Sequence, residues 1–271
     1  MNFDNTHIAI RERNFAEVMD LALHVTRAHA GPLLLALLAG ATPWALLNAA
    51  MLAGSGMLED LEWDGPVPYG FWMTMLVAIE APLATAGITL YLGQVTFADR
   101  VEPGRIVRDY FRALPQMLWS QGVVRLLCAP IIVTMLLPYA SWPYLSELIL
   151  LERNPLFAGK QKRLTTRRRS KHLHGGAGGD LFTRWIVSLI AGSLMILSIG
   201  GGIHVLFHQL FNLPFSTITD LTVTFPLAMW LVVGFFAVVR FLAYLDLRIR
   251  REGWEVELTM RAEAERLARL A

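Results

Sequence analysis

From Gly31 to Leu58 the chain carries no charged side chain. At about 1.5 Å per helical residue such a run crosses a hydrocarbon layer of about 30 Å, even with Pro43 bending it. The pattern repeats along the sequence. Pro66 to Ala98 is interrupted by Glu80, with Pro82 expected to kink the helix near mid-membrane. Met117 to Leu137 contains Arg125 and Pro130, and a shorter apolar stretch follows from Trp142 to Leu151, extended past Arg153 to Leu156 and Phe157. Trp185 to Phe211 and Leu221 to Leu245 complete the set. Only 17% of residues are charged, against roughly a quarter in soluble domains. These runs predict an all-α integral membrane protein, one polytopic domain over residues 1–271, with six transmembrane helices of which the fourth is short. The single cysteine, Cys128, excludes a disulfide framework and a multi-cysteine metal site.

Basic residues fix the threading. Gly54 to Val67, Pro138 to Ser141 and Asn212 to Asp220 contain no Lys or Arg, and the first of these holds the acidic run Glu59, Asp60, Glu62 and Asp64. If these are the outer loops, every Lys and Arg outside the spans falls on the inner side, and Arg125 and Arg240 enter the spans near their inner ends. A five-span threading would export either Arg105, Arg108 and Arg112 or the Lys160 to Lys171 cluster. The expectation is therefore a multi-pass plasma-membrane protein with both termini cytoplasmic, N-in and C-in.

Amphipathic segments lie between the spans. In the amphipathic helix of residues 14–30, Phe15, Val18, Met19, Ala22 and Val25 recur at helical spacing opposite Glu17, Asp20, His24 and Arg27, with Arg11 just before it; in 103–115, Ile106, Val107, Tyr110, Phe111 and Leu114 oppose Arg105, Arg108, Asp109 and Arg112, and Pro115 is expected to separate this helix from the third span. A weaker third segment covers Thr165 to Leu173. Each precedes an out-and-back pair of spans, which suggests a threefold repeat of surface helix plus helical hairpin. Residues 153–184 form a basic cytoplasmic loop and 246–271 a cytoplasmic C-terminal helix.

Four ionisable residues fall within the spans: Glu80, Arg125, Glu147 and Arg240. Charge at membrane depth is costly, so such groups pair, face the interior or line a water path. Arg125 and Glu147 could pair within one hairpin. Glu80, unless an arginine reaches it, is a candidate for holding a proton or cation. His204 and His208, four apart, have helix-borne metal spacing but no further ligand nearby, so hydrogen-bonded interface histidines are the expectation and no metal or other cofactor is called for. Gly200, Gly201 and Gly202 suggest close helix approach or a local break. Lys160, Lys162, Arg163, Arg167, Arg168, Arg169 and Lys171 read as contacts to anionic lipid headgroups. Without interleaved aromatic residues or a recognition fold, they do not point to nucleic acid. No nucleophile-elbow, Walker, dinucleotide or HExxH pattern occurs, so catalysis is not expected.

The run from Tyr244 through Asp246, Arg248, Arg250 and Glu252 to Gly253 has the form Y-x-D-x-R-x-R-x-E-G. It resembles the closing signature of a large group of bacterial polytopic proteins, the membrane domain of the glycerophosphoryl diester phosphodiesterase type. Phe15 to Leu35 is similar to that group's opening helix. Leu148 to Pro155 followed by Arg169-Ser170-Lys171-His172-Leu173 is similar to its middle segment. The phosphodiesterase reaction belongs to a separate soluble barrel for which this chain has no room. The resemblance implies a stand-alone bacterial inner-membrane domain with an accessory or scaffold role, and a protein partner in the envelope. Asp246 with Arg250, and Arg248 with Glu252, are spaced to pair as a charged collar where the sixth span leaves the bilayer. A transporter or channel subunit built around Glu80 and the arginine-bearing hairpins, and a membrane-embedded lipid-modifying enzyme, are the alternative expectations.

Overall fold

The computed structural model describes residues 14–59, 65–98, 100–128, 142–153, 155, 165–175, 178–211, 216–252 and 260. Among them the chain is all-helical, with no strand. Helix α1 (Phe15–Ala28) begins where the Asn14 side chain accepts from the Glu17 backbone N–H at 2.8 Å, satisfying one of the orphan donors of the first turn. After a one-residue break at His29 the chain continues as α2 (Ala30–Ala53), which passes through Pro43 without interruption. Next come α3 (Val67–Ala84) and α4 (Ala86–Phe97). They meet at Thr85 (φ −92°, ψ 1°), three residues beyond Pro82, which itself lies inside the unbroken α3.

Helix α5 (Pro103–Met117) does not stop at Pro115. It runs through a wide-turn π segment, Leu118–Val123, into Val124–Cys128. The separation expected at Pro115 is thus not observed: the helix passes through the proline, and its geometry widens only from Leu118 onward. Helix α6 (Leu145–Glu147) widens into a π turn over Leu148–Glu152. After α7 (Thr166–His174), α8 (Gly178–Val205) continues into Leu206–Leu210. The last helix, α9 (Phe225–Glu252), is led in by Thr217–Thr219 and Asp220–Thr224.

Four of these helical stretches are long and apolar enough to cross a membrane: Ala30–Ala53, Val67–Phe97, Gly178–Gln209 and Thr217–Arg250. They correspond to the first, second, fifth and sixth expected spans. Of the third, Met117 to Cys128 is helical and 129–141 lie outside the described residues. Of the fourth, Leu145–Glu152 is helical, about 12 Å long at α-helical rise, and enclosed by protein at Leu148, Ile149 and Leu150. Its extension through Leu156 and Phe157 lies outside the described residues, as do Asp60, Glu62 and Asp64.

Both long hairpins are antiparallel. Ala36 lies beside Gly87, Gly40 beside Ala84 and Asn48 beside Glu80. In the second hairpin Arg184 meets Asp246 at one end and His204 meets Asp220 at the other. The main core joins α1, α2, α3, α4 and α9, with Tyr69, Tyr244 and Phe241 among its largest enclosed side chains. Helices α3 and α4 are the most enclosed of the long elements and α8 the least, its outer surface being leucine, isoleucine and valine. Such a face suits hydrocarbon better than water.

Helix α1 places its face as expected and α5 only in part, because Asp109, expected on the polar side, is buried. Val18 and Ala22 of α1 are buried against the core, and Ile106, Tyr110 and Leu114 of α5 pack on a smaller cluster with Leu83, Leu90 and Ile149. Val107 and Phe111 stay exposed on the outer side of α5.

Candidate functional site

At the end of the bundle where α9 finishes, three sequence segments far apart in the chain converge on Glu152. Arg169 of α7 donates two hydrogen bonds to it, Nε to Oε2 at 2.6 Å and an Nη2 to Oε1 at 2.9 Å. This side-on geometry is the strongest that a guanidinium and a carboxylate make. The Tyr244 hydroxyl donates to the same Oε1 at 2.9 Å, and Arg248 approaches to 3.9 Å. The acidic residue of the middle segment, the arginine of the R-S-x-x-L segment and two positions of the closing signature therefore form one cluster. Arg169 is drawn inward onto Glu152. That corrects its reading as a headgroup contact: a carboxylate held in a largely enclosed position attracts the nearest guanidinium more strongly than screened phosphates do.

A second cluster lies beside it. Asp246, almost fully buried, faces Arg250 at 2.9 Å and Arg184 at 3.4 Å, and Asp180 faces Arg184 at 3.0 Å and Arg250 at 3.6 Å. The ring of Phe15 lies under the Arg184 guanidinium, 5.9 Å from centroid to carbon, within cation–π range. This contact ties the start of α1 to the start of α8, whose Arg184 in turn faces Asp246 of α9. The Asp246–Arg250 pair of the expected collar is present. Arg248 is turned toward Glu152, while the side chain of Glu252 and all of Gly253 lie outside the described residues.

Deeper in the bundle, Glu147 is fully buried and accepts from Arg240 Nε at 2.5 Å, across 93 residues of sequence. Arg240 also donates to the Thr85 hydroxyl at 3.3 Å. The partner expected for Glu147 was Arg125, but Arg125 donates to Gln121 Oε1 at 2.9 Å and to the Ala78 carbonyl at 3.1 Å. The short α6 carries its acid toward α9 because Leu148, Ile149 and Leu150 anchor it inside the core. No local spacing rule could have revealed this pairing.

Glu80 is buried in the first hairpin, where Oε2 accepts from Asn48 Nδ2 at 2.8 Å. Glu80→Gln keeps an acceptor for that amide and is expected to leave the unfolding temperature nearly unchanged. Glu80→Leu strands a buried donor, and should cost about 1–3 kcal/mol in a detergent unfolding assay.

His174 closes the site from α7. Its ring stacks on Tyr144 with centroids 5.8 Å apart, and Nδ1 lies 2.8 Å from the Ser170 carbonyl. Burial depresses its pKa below the ordinary imidazole value. The unfolded chain therefore binds the proton more readily than the folded one. Stability from this group is complete above about pH 6.5, and falls as pH drops through that value toward the lower folded pKa. Thermal unfolding between pH 7.5 and 5.5 should show this loss in the wild type, and His174→Phe, which can still stack on Tyr144, should show a shallower decline over the same interval.

Other sequence candidates fall away from this site. His204 Nδ1 lies 2.8 Å from Asp220, and His204 and His208 stack with centroids 5.6 Å apart, in keeping with interface histidines. Among the described residues no group of three or more His, Cys, Asp or Glu has metal-holding geometry. The triple glycine is borne out at one position only: α8 is unbroken there, a Cβ at Gly200 would lie 3.9 Å from the Ala228 Cβ of α9, and one at Gly201 or Gly202 would meet nothing within 4 Å. Closer helix approach is made by Gly40, which the glycine spacing did not reveal. Arg167, Arg168 and Lys171 are exposed on α7, and Lys160, Lys162 and Arg163 lie outside the described residues.

No family model, curated protein or solved structure matches this chain.

Proposed function

We propose that this protein is a non-catalytic scaffold or accessory component of a bacterial envelope system, held in the inner membrane by six spans with both termini in the cytoplasm. In this reading it is a stand-alone relative of the glycerophosphoryl diester phosphodiesterase membrane domain without the catalytic barrel. It docks an envelope partner through its basic inner surface and its C-terminal helix, and Lys160 to Lys171, Arg169 apart, touches anionic headgroups. The observation that carries the reading is the internal use of the charged motifs. Glu152 is engaged by Arg169, Tyr244 and Arg248, Asp246 by Arg184 and Arg250, and Glu147 by Arg240. Acids engaged in this way act as struts and are poor general bases or metal ligands. The meeting of Phe15, Arg184 and Asp246 supports termini on one side, and the two antiparallel hairpins, each preceded by an amphipathic helix, support the repeat.

A transporter reading rests on one observation, the buried Glu80–Asn48 pair between α2 and α3. Purification from crosslinked membranes distinguishes the two. The scaffold reading expects one stoichiometric protein partner that is lost when the chain is truncated after Glu252, with no flux or lipid turnover in proteoliposomes. A partner-free protein giving flux that Glu80→Gln abolishes would overturn it, as would lipid turnover that depends on a named side chain.

A further inference from the structure

The two enclosed acids on the α5–α7 side of the bundle, Asp109 and Glu152, are already engaged by other arginines, so they do not compensate the exposed cations there. Asp109, the buried acid of α5, is bound by Arg153, with Arg105 at 3.8 Å. Glu152 is engaged by Arg169, Tyr244 and Arg248. Arg108 and Arg112 on α5, and Arg167, Arg168 and Lys171 on α7, are exposed, and none has an ion-pair partner among the described residues. The helices that carry the two groups touch, Gln116 Nε2 near the end of α5 donating to Thr166 Oγ1 in the first turn of α7 at 3.0 Å.

The neighbourhood of these cations shows what they meet. Val107 and Phe111 project from the same outer side of α5 as Arg108 and Arg112. One to four turns further on, the continuing helix exposes Leu118, Trp119, Val123, Leu126 and Leu127. A helix whose outer side passes from arginine, through phenylalanine and tryptophan, to leucine follows the gradient from headgroup to hydrocarbon. An acidic protein surface would match the charges but would leave that apolar continuation without a partner.

We propose that α5 and α7 together form a binding platform for the phosphate headgroups of anionic phospholipids. Arg108, Arg112, Arg167, Arg168 and Lys171 supply the charge, and Val107 and Phe111 seat the platform at the interface. The proposal rests on the membrane reading of the chain but not on the scaffold role.

Full-length protein, reconstituted in nanodiscs of phosphatidylcholine with 30% phosphatidylglycerol and then released for native mass spectrometry, tests it. Wild type should retain phosphatidylglycerol over phosphatidylcholine. Arg108→Gln, Arg112→Gln, Arg167→Gln, Arg168→Gln and Lys171→Gln should each weaken that retention several-fold, about five-fold if each basic side chain contributes the usual 1 kcal/mol near an anionic surface. A variant with the four arginines changed to lysine should keep it, since the attraction is chiefly one of charge. Excess inorganic phosphate should not displace the lipid. Equal retention of both lipids by folded wild type, unchanged retention in a variant carrying all five glutamine substitutions, or displacement by free phosphate would overturn the platform. A protein that carbonate strips from membranes would instead remove the membrane reading beneath it.

Discussion

Glu152→Gln is expected to lower the unfolding free energy of the purified protein by about 3 kcal/mol, the scale on which removing one partner of an enclosed ion pair leaves the other uncompensated. Glu152 and Arg169 are respectively 12% and 14% exposed, so solvent screens little of that loss. The carboxylate also accepts from Tyr244 and faces Arg248, so one substitution loosens α7, the π turn after α6 and the end of α9 together. Arg169→Gln should cost a comparable amount. The double variant should lose less than the sum, because two neutral amides can hydrogen-bond to each other and Arg169 no longer faces a site without its carboxylate; a coupling of about 1–3 kcal/mol is the expected size. Strict additivity by detergent-solubilised thermal or chemical unfolding would mean that the contact is incidental.

Gly40→Ala should be the most damaging single-methyl change in the long helices. A Cβ at this position would fall inside the space of the Ala84 carbonyl oxygen, a backbone atom that cannot rotate aside, so α2 and α3 would have to separate. Overpacking of this kind costs about 1–3 kcal/mol, and here it also disturbs the nearby Asn48–Glu80 bond that the same hairpin positions. Gly201→Ala makes the matched control. It adds a methyl in open space within a helix, where alanine is favoured over glycine by about 1 kcal/mol, and should be neutral to slightly stabilising. Equal unfolding temperatures for the two variants would contradict the packing described for α2 and α3.

These two variants also mark where sequence reading stops. Apolar runs and helical spacing revealed α2, α3 with α4, α8 and α9, since a span must satisfy its backbone internally and carry apolar side chains throughout. The face of α1 was legible from its helical spacing, and so was Asp246 with Arg250, one helical turn apart; that of α5 was legible only in part, since Val107 and Phe111 are exposed and Asp109 is buried. The pairings of Glu152 with Arg169 and Glu147 with Arg240 were not, because they join separate elements and depend on how the short α6 is anchored by Leu148, Ile149 and Leu150. Gly40 escaped notice because a single glycine in an apolar run has no local mark that separates close approach from tolerance. Gly200 to Gly202 had the more visible pattern, yet only Gly200 meets a neighbouring helix, at ordinary contact distance from Ala228.

Threading of the chain can be read directly with an impermeant maleimide on intact cells. In a Cys128→Ser background, Glu62→Cys and Glu255→Cys place single thiols in the first predicted outer loop and in the tail after the last span. The account predicts labelling of the cysteine at 62 and none at 255 until the membrane is permeabilised. Labelling at 255 in sealed cells, or protection at 62, would contradict it.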